Sequence, residues 1–179
     1  MKNIMFSNKR KFFYDCEFME ESGFLQLISI GVVDEHANQF YACNINANFS
    51  RANDWVRRFV IPLLPNNGKI PEGVVRGPWM EEKMIKSALL DFLLPSEKDP
   101  IELWGYYSDY DHVLLCWLFG RMIDLPPGMP KFTLDIKQLS YHMQVENSHQ
   151  ATGSHDALED AKWNLKEFNR LRNLEKFDL

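Results

Sequence analysis

The stretch FFYDCEF, residues 12–18, constrains the fold more than any other part of the chain. Phe12, Phe13 and Tyr14 are the bulky residues that fill a buried strand. Asp15 and Glu17 then follow two positions apart. Strand side chains alternate faces, so residues i and i+2 point the same way. Two carboxylates side by side on a core strand repel each other unless a proton, an Arg or a metal ion holds them. The competing reading is an edge strand facing solvent, where charge commonly blunts the edge.

The rest of the chain shows what such a strand belongs to. Residues 11–17, 24–34 and 38–45 read as three strands, the second rich in Ile28, Ile30, Val32 and Val33. Their spacing suggests a consecutive antiparallel meander. A helix starts near Asn53 or Asp54, either of which can cap it, and ends by Pro62 and Pro65. Residues 65–77 read as a loop by composition. Residues 78–94 form an amphipathic helix, with Pro78 in its first turn. Residues 101–107 are a fourth strand, and 109–120 a helix closed by Gly120. Residues 133–143 fit strand or helix. The last helix puts Leu158, Ala161, Leu165, Phe168 and Leu171 on one face. Strands followed by alternating helix and strand indicate an α/β fold, one mixed central sheet flanked by helices.

A chain of 179 residues suits one domain. The expected division is a short polar lead-in over 1–10 and a single domain over 11–179. Lys9, Arg10 and Lys11 read as a solvated entry to it. No run approaches a membrane span, and Ile4–Phe6 is too short an apolar run for a secretory signal. A cytoplasmic protein that does not touch membranes is expected. Three cysteines, Cys16, Cys43 and Cys116, without CxxC spacing, read as buried thiols in a reducing compartment.

Two further acids join the first pair. Asp111 lies where the fourth strand hands over to a helix, and Asp160 near the start of the last helix. An acid just beyond a strand end can reach the cleft where α/β sheets bind ligands. Four carboxylates from three segments can hold two divalent ions, and oxygen-only ligation favours Mg²⁺ or Mn²⁺. Such a pair suits in-line phosphoryl chemistry, stabilising both the attacking and the leaving oxygen. His155 precedes Asp160 by five residues. Within one helix the two would stand roughly 140° apart. They converge if His155 lies just before the helix, with Asp156 as N-cap and Glu159 completing a capping box. His155 then suits a general base. Taken singly, each residue has a plainer reading: Asp111 and Asp160 as first-turn acids, His155 as a loop polar group.

The ordered set resembles a known family. HDALEDA (155–161) resembles the third motif of the DEDDh exonucleases, YDCEF their first, and YSDYDHVLL (107–115) their second. QLISIGVV and IELWGYYSDYDHVLL make the chain similar to the exoribonuclease AS family, over almost its whole length. The resemblance implies an RNase H-like fold and 3′→5′ exoribonuclease activity on single-stranded or 3′-overhanging RNA, releasing nucleoside 5′-monophosphates. It implies two metals, Mg²⁺ or Mn²⁺, on Asp15, Glu17, Asp111 and Asp160. It implies His155 as base, Glu17 in the catalytic set, RNA (or DNA) 3′ ends as partners, and a homodimer. Asp109 is the rival for the second-motif acid; the aromatic-Asp pattern of Tyr110–Asp111 favours Asp111.

The chain departs from the wider pattern in two places, at three positions. Phe18 and Met19 stand where many relatives have Thr or Ser and then Gly, and Tyr107 where many have Asn. Phe18, Tyr107 and Tyr110 are therefore this chain's own candidates for substrate contact. Phe18 stays open between core packing and stacking on a terminal base. Cys16 faces the core, Trp79 and Trp104 read as packing, and His112 as support. His36, His142 and His149 read as surface.

The net charge of −5 argues against a long electrostatic grip on nucleic acid. The four proposed ligands carry most of it, so a few nucleotides at a 3′ end remain compatible. The alternatives are a DNA 3′→5′ exonuclease, a silent RNase H-like binding module, and a metal-dependent nucleotide phosphatase.

Overall fold

A computed structural model describes residues 7–65, 79–94, 100–150 and 155–177, with side chains to residue 174. Strand β1 (Arg10–Glu21) pairs antiparallel with β2 (Phe24–Asp34), which pairs antiparallel with β3 (Gln39–Asn44). The meander therefore forms as its spacing predicts, with β1 longer at both ends. On its other side β1 pairs parallel with β5 (Ile101–Gly105), and β5 with β6 (Leu134–Asp135). With the short strand β4 (Trp79–Met80) beside β3, the sheet order is β4-β3-β2-β1-β5-β6.

Alternation along β1 sorts the core into two halves. Phe12, Tyr14 and Cys16 join one cluster, with side chains of α2 (Glu82–Leu93) and α3 (Asp109–Phe119). Phe13 and Met19 join the other, with α1 (Asp54–Phe59), α4 (Ile136–Met143) and α5 (Ala157–Phe177). Asp15 and Glu17 belong to this second face. Glu17 pairs with Ser29 and Phe18 with Leu27, so Ile28 is the extra residue of a bulge in β2. The alternation of β1 itself stays intact.

Several elements differ from their sequence reading. Trp79–Met80 is not helical; it is a short strand, β4, pairing parallel with Cys43–Asn44. The helix expected from residue 78 starts at Glu82, whose carboxylate takes the Asn44 side-chain amide at 2.9 Å. Pro78, and all of the 65–77 loop but Pro65, fall outside the described residues. Residues 133–143 hold both candidates in turn, β6 and then α4, because Asp135 caps the helix by accepting from Gln138 N at 3.0 Å. The solvated entry holds for Lys9, which is exposed, and fails for its neighbours. Lys11 is only 4% exposed, inside β1, its ammonium donating to Ser7 O at 2.7 Å and Lys9 O at 3.0 Å. Arg10 already belongs to β1 and lays its guanidinium over Phe12. All three cysteines are free and buried.

Gly31 sets where α5 lies. It pairs with Asp15 across the β1–β2 ladder. A Cβ at Gly31 would come 2.3 Å from Ala157 O, so only glycine lets the start of α5 settle there. Asn164, one turn beyond Asp160, pins the helix to β1 by donating to Tyr14 O at 3.0 Å.

Candidate active site

β1 delivers Asp15 and Glu17, and the first turn of α5 delivers Asp160. One ligand oxygen from each lies within 4.8 Å of the others. Asp111 opens α3 and is buried; its Oδ1 accepts from Cys16 N at 2.7 Å. It borders the same cavity but lies outside that close trio. Asp109, its rival, is exposed.

The acids sit where their charge is unfavourable. Burial, then Asp111, Asp160 and Glu17, hold the Asp15 carboxyl well above its ordinary range. Burial and the neighbouring Asp160, Asp111 and Asp156 push Glu17 up to about 8. Burial also raises Asp111 to about 7, against a hydrogen bond from Cys16 N that lowers it. Asp160 is raised as well, chiefly by burial. Crowded carboxylates of this kind are stable as anions only beside cations. An all-oxygen set fits hard divalent ions.

Asp160 is held at both oxygens. Its Oδ2 accepts from His155 N at 2.8 Å and its Oδ1 from Gln150 Nε2 at 2.6 Å. His155 stands before the helix with φ 70°, a left-handed conformation uncommon outside glycine. That turn is why it reaches the cavity that five helical residues would have denied it. Asp156 caps α5 by accepting from Leu158 N and Glu159 N. The reciprocal half of the expected box is replaced, since Glu159 pairs with Lys162 at 2.7 Å. The His155 ring lies 4.6 Å from that of Trp55, edge to face, and 6.3 Å from Phe59.

The cavity over the acids measures about 230 Å³ and gathers Asp15, Glu17, Asp111, Asp160 and His155. Cys16, Phe18, Trp55, Tyr106 and Tyr107 also line it. Phe18 is half-buried, its ring edge-on to Tyr110 at 5.7 Å. Tyr107 is exposed with φ 55°. Tyr110 is exposed and touches Phe18 without itself lining the cavity. His112 bonds Thr133 Oγ1 at 3.1 Å, as a supporting residue would. Trp104 packs on Phe168 and Trp79 on Phe49.

Sequence reading missed four residues. Trp55 reads there only as part of a helix, and Tyr106 only as strand. Gln150 carries no motif. His149 is exposed, as its surface reading expects, and also lines a second cavity beside Asp15 and Asp160. Tyr106 was hidden because β5 ends at Gly105, two residues before the end its sequence suggests, which places Tyr106 at the cleft.

Three comparisons bear on this arrangement. A family model described as the Rv2179c-like 3′-5′ exoribonuclease domain matches residues 10–171. The 3′-5′ exoribonucleases Rv2179c and MT2234.1, from two strains of Mycobacterium tuberculosis, are each 38% identical over 159 residues, 88% of this chain and 90% of theirs. The nuclease domain of 3′hExo, a DEDDh family member solved with rAMP, superposes with a TM-score of 0.53 at 14% identity, covering 94% of this chain and 92% of that one. The Neurospora crassa Pan2 catalytic unit gives 0.52 at 14% identity, over 99% of this chain and 29% of that one. The fold is therefore that of the RNase H-like DEDDh nuclease domains. From the carboxylate motifs to the full length of the match, the chain belongs to the Rv2179c-like 3′-5′ exoribonuclease domain family.

Proposed function

We propose that this protein is a metal-dependent 3′→5′ exoribonuclease that removes nucleoside 5′-monophosphates from RNA 3′ ends. The observation that carries the reading is the close trio of Asp15, Glu17 and Asp160, with Glu17 buried and the two aspartates half-buried, and with His155 on the same cavity. Asp15, Glu17, Asp111 and Asp160 would hold two divalent ions, Mg²⁺ or Mn²⁺. When bound, such ions stabilise the attacking and leaving oxygens of a phosphodiester.

The chain's own residues do the rest. Asp160, fixed at both oxygens, keeps its carboxylate aimed at the cavity. His155 accepts a proton from the attacking water, its ring steadied by Trp55. Asp111 is locked to β1 through Cys16 N, which ties the start of α3 to the acid pair. Phe18 and Tyr107 stand on the wall where a terminal nucleotide would lie.

The test is the chemical identity of the product. RNA incubated with the protein and Mn²⁺ should yield nucleoside 5′-monophosphates by chromatography, without free phosphate. Release of inorganic phosphate from mononucleotides, with the polymer intact, would transfer the reading to a nucleotide phosphatase. Pairing of two copies has a candidate surface on α3. Val113 and Trp117 stand exposed one turn apart there, and Trp117 shares a groove with Phe24 and Leu25. A monomer in sedimentation at micromolar concentration removes that part of the proposal.

A further inference from the structure

Three of the four acids form a close trio, and Asp111 stands outside it. The trio rides on β1 and α5, which Asn164 ties together by donating to Tyr14 O at 3.0 Å. Asp111 rides on α3, so its distance from the others depends on what fixes the start of that helix. One fixture is Cys16 N, which donates to Asp111 Oδ1 at 2.7 Å. Two more lie on the short edge strand β6 and on the residue before it.

Asp135 of β6 accepts from Ser108 N at 3.0 Å and from Ser108 Oγ at 3.3 Å. Gly105 permits that approach, because a Cβ there would come 2.5 Å from Ser108 Cβ. Ser108 is the N-cap of α3, three residues before Asp111. Thr133, half-buried, holds the next point. Its Oγ1 lies 3.1 Å from His112 Nδ1 and 2.6 Å from the Tyr14 phenol oxygen. His112 follows Asp111, and Tyr14 precedes Asp15. Tyr14 is 1% exposed and points away from Asp15, into the core half that α2 and α3 share. Two hydrogen bonds through one hydroxyl therefore join the neighbour of one acid to the neighbour of another. A hydroxyl has one proton and two lone pairs, so Thr133 can meet both partners at once. A methyl in its place would leave the phenol without that partner in a buried setting, which costs free energy.

We infer that Thr133 is a positioning residue: through Tyr14 and His112 it sets the distance of Asp111 from the trio, and with it the affinity for a second divalent ion, while the trio keeps the first. Groups that orient metal ligands without touching the metal commonly change its affinity by 10-fold to 100-fold. The inference rests on the exoribonuclease reading for the two ions, and deepens it.

The test is a calorimetric titration with Mn²⁺. Wild-type protein should show two sites. Thr133→Val keeps the shape and deletes the hydroxyl. It should weaken the weaker site about tenfold and leave the tighter one unchanged. Thr133→Ser, which restores the hydroxyl, should recover the weaker site. Tyr14→Phe removes one of the two bonds from its other end. It should repeat the selective loss, and the double variant with Thr133→Val should lose little more. In RNA cleavage by Thr133→Val, the Mn²⁺ concentration for half-maximal rate should rise about tenfold, with the maximal rate regained at saturation. Wild-type protein gives a readout independent of any variant's folding. The side-chain nitrogen resonances of His112 should stay through the first equivalent of Mg²⁺ and move with the second. A single wild-type site, equal weakening of both sites, no change in either variant, or His112 resonances that ignore Mg²⁺ overturns the role. Selective loss of the weaker site, with no RNA cleavage by wild-type protein, supports the role while the exoribonuclease reading fails. Wild-type cleavage with equal weakening of both sites does the reverse.

Discussion

His155 and the acids around it make separable contributions. His155 touches Asp160 through its backbone N–H, so its ring is free of any ligand duty that the carboxylates perform. His155→Ala should lower kcat by about 10²-fold or more with Mn²⁺ affinity by calorimetry close to wild type. Asp15→Asn should lower both. Equal loss of Mn²⁺ affinity in the two variants contradicts the assignment. The acids also predict an unusual stability profile for chelated protein. Glu17 is held up at about 8 and Asp111 at about 7, against ordinary values of 4.5 and 3.8. Between those ranges the folded state keeps protons that the unfolded state has lost, so stability falls as pH rises. In EDTA the melting temperature should be higher at pH 5 than at pH 8, and saturating Mn²⁺ should shrink the difference. A flat or rising profile in EDTA contradicts it. These residues were legible in the sequence because chemistry forces unusual types into a buried pattern. Trp55 and Gln150 were not, because a ring contact and a single amide bond leave no spacing to read.

Gly31 shows how one backbone position builds the site from two elements. It lies opposite Asp15 on β2 and admits the first residues of α5, which carry Asp160 and follow His155. A methyl there meets backbone atoms that cannot move aside independently. Gly31→Ala should cost roughly 1–3 kcal/mol or more in urea unfolding, and should depress activity in the fraction that remains folded. Wild-type stability in that variant would mean that α5 is not held so closely. The meander, α3 and α5 were readable from periodicity, since each has one dry face. The start of α2 was not. Trp79 and Met80 fit a helical pattern, but parallel pairing with Cys43 and Asn44 claims them first. Residues 133–143 looked ambiguous because a two-residue strand gives way to a helix at Asp135. The 146–150 strap was illegible for another reason. Burial disfavours the Glu167 charge, but bonds from Arg170, Ser148 and Asn147 outweigh it and hold the carboxyl at about 2. Such a network depends on folding, not on neighbours in sequence.

Charge ties these parts to a way of handling substrate. The chain carries a net −5, and its cleft is acidic, so grip on RNA must come from cations at the carboxylates and from rings on the wall. Few phosphates should be neutralised by protein cations. The log–log salt dependence of RNA binding, measured with saturating Mn²⁺ and Asp111→Asn to block turnover, should have a shallow slope, corresponding to about two contacts or fewer. A steep slope would reveal a basic track elsewhere. The central claim is directional cleavage of RNA from its 3′ end. Single-stranded RNA and DNA of matched sequence, labelled at the 5′ end, are incubated with Mn²⁺ or Mg²⁺, with EDTA and Asp111→Asn as controls, and resolved on a sequencing gel. The account predicts an RNA ladder that shortens one nucleotide at a time from the 3′ end and disappears in both controls. An intact polymer under every condition, or internal cuts in place of a ladder, would contradict it.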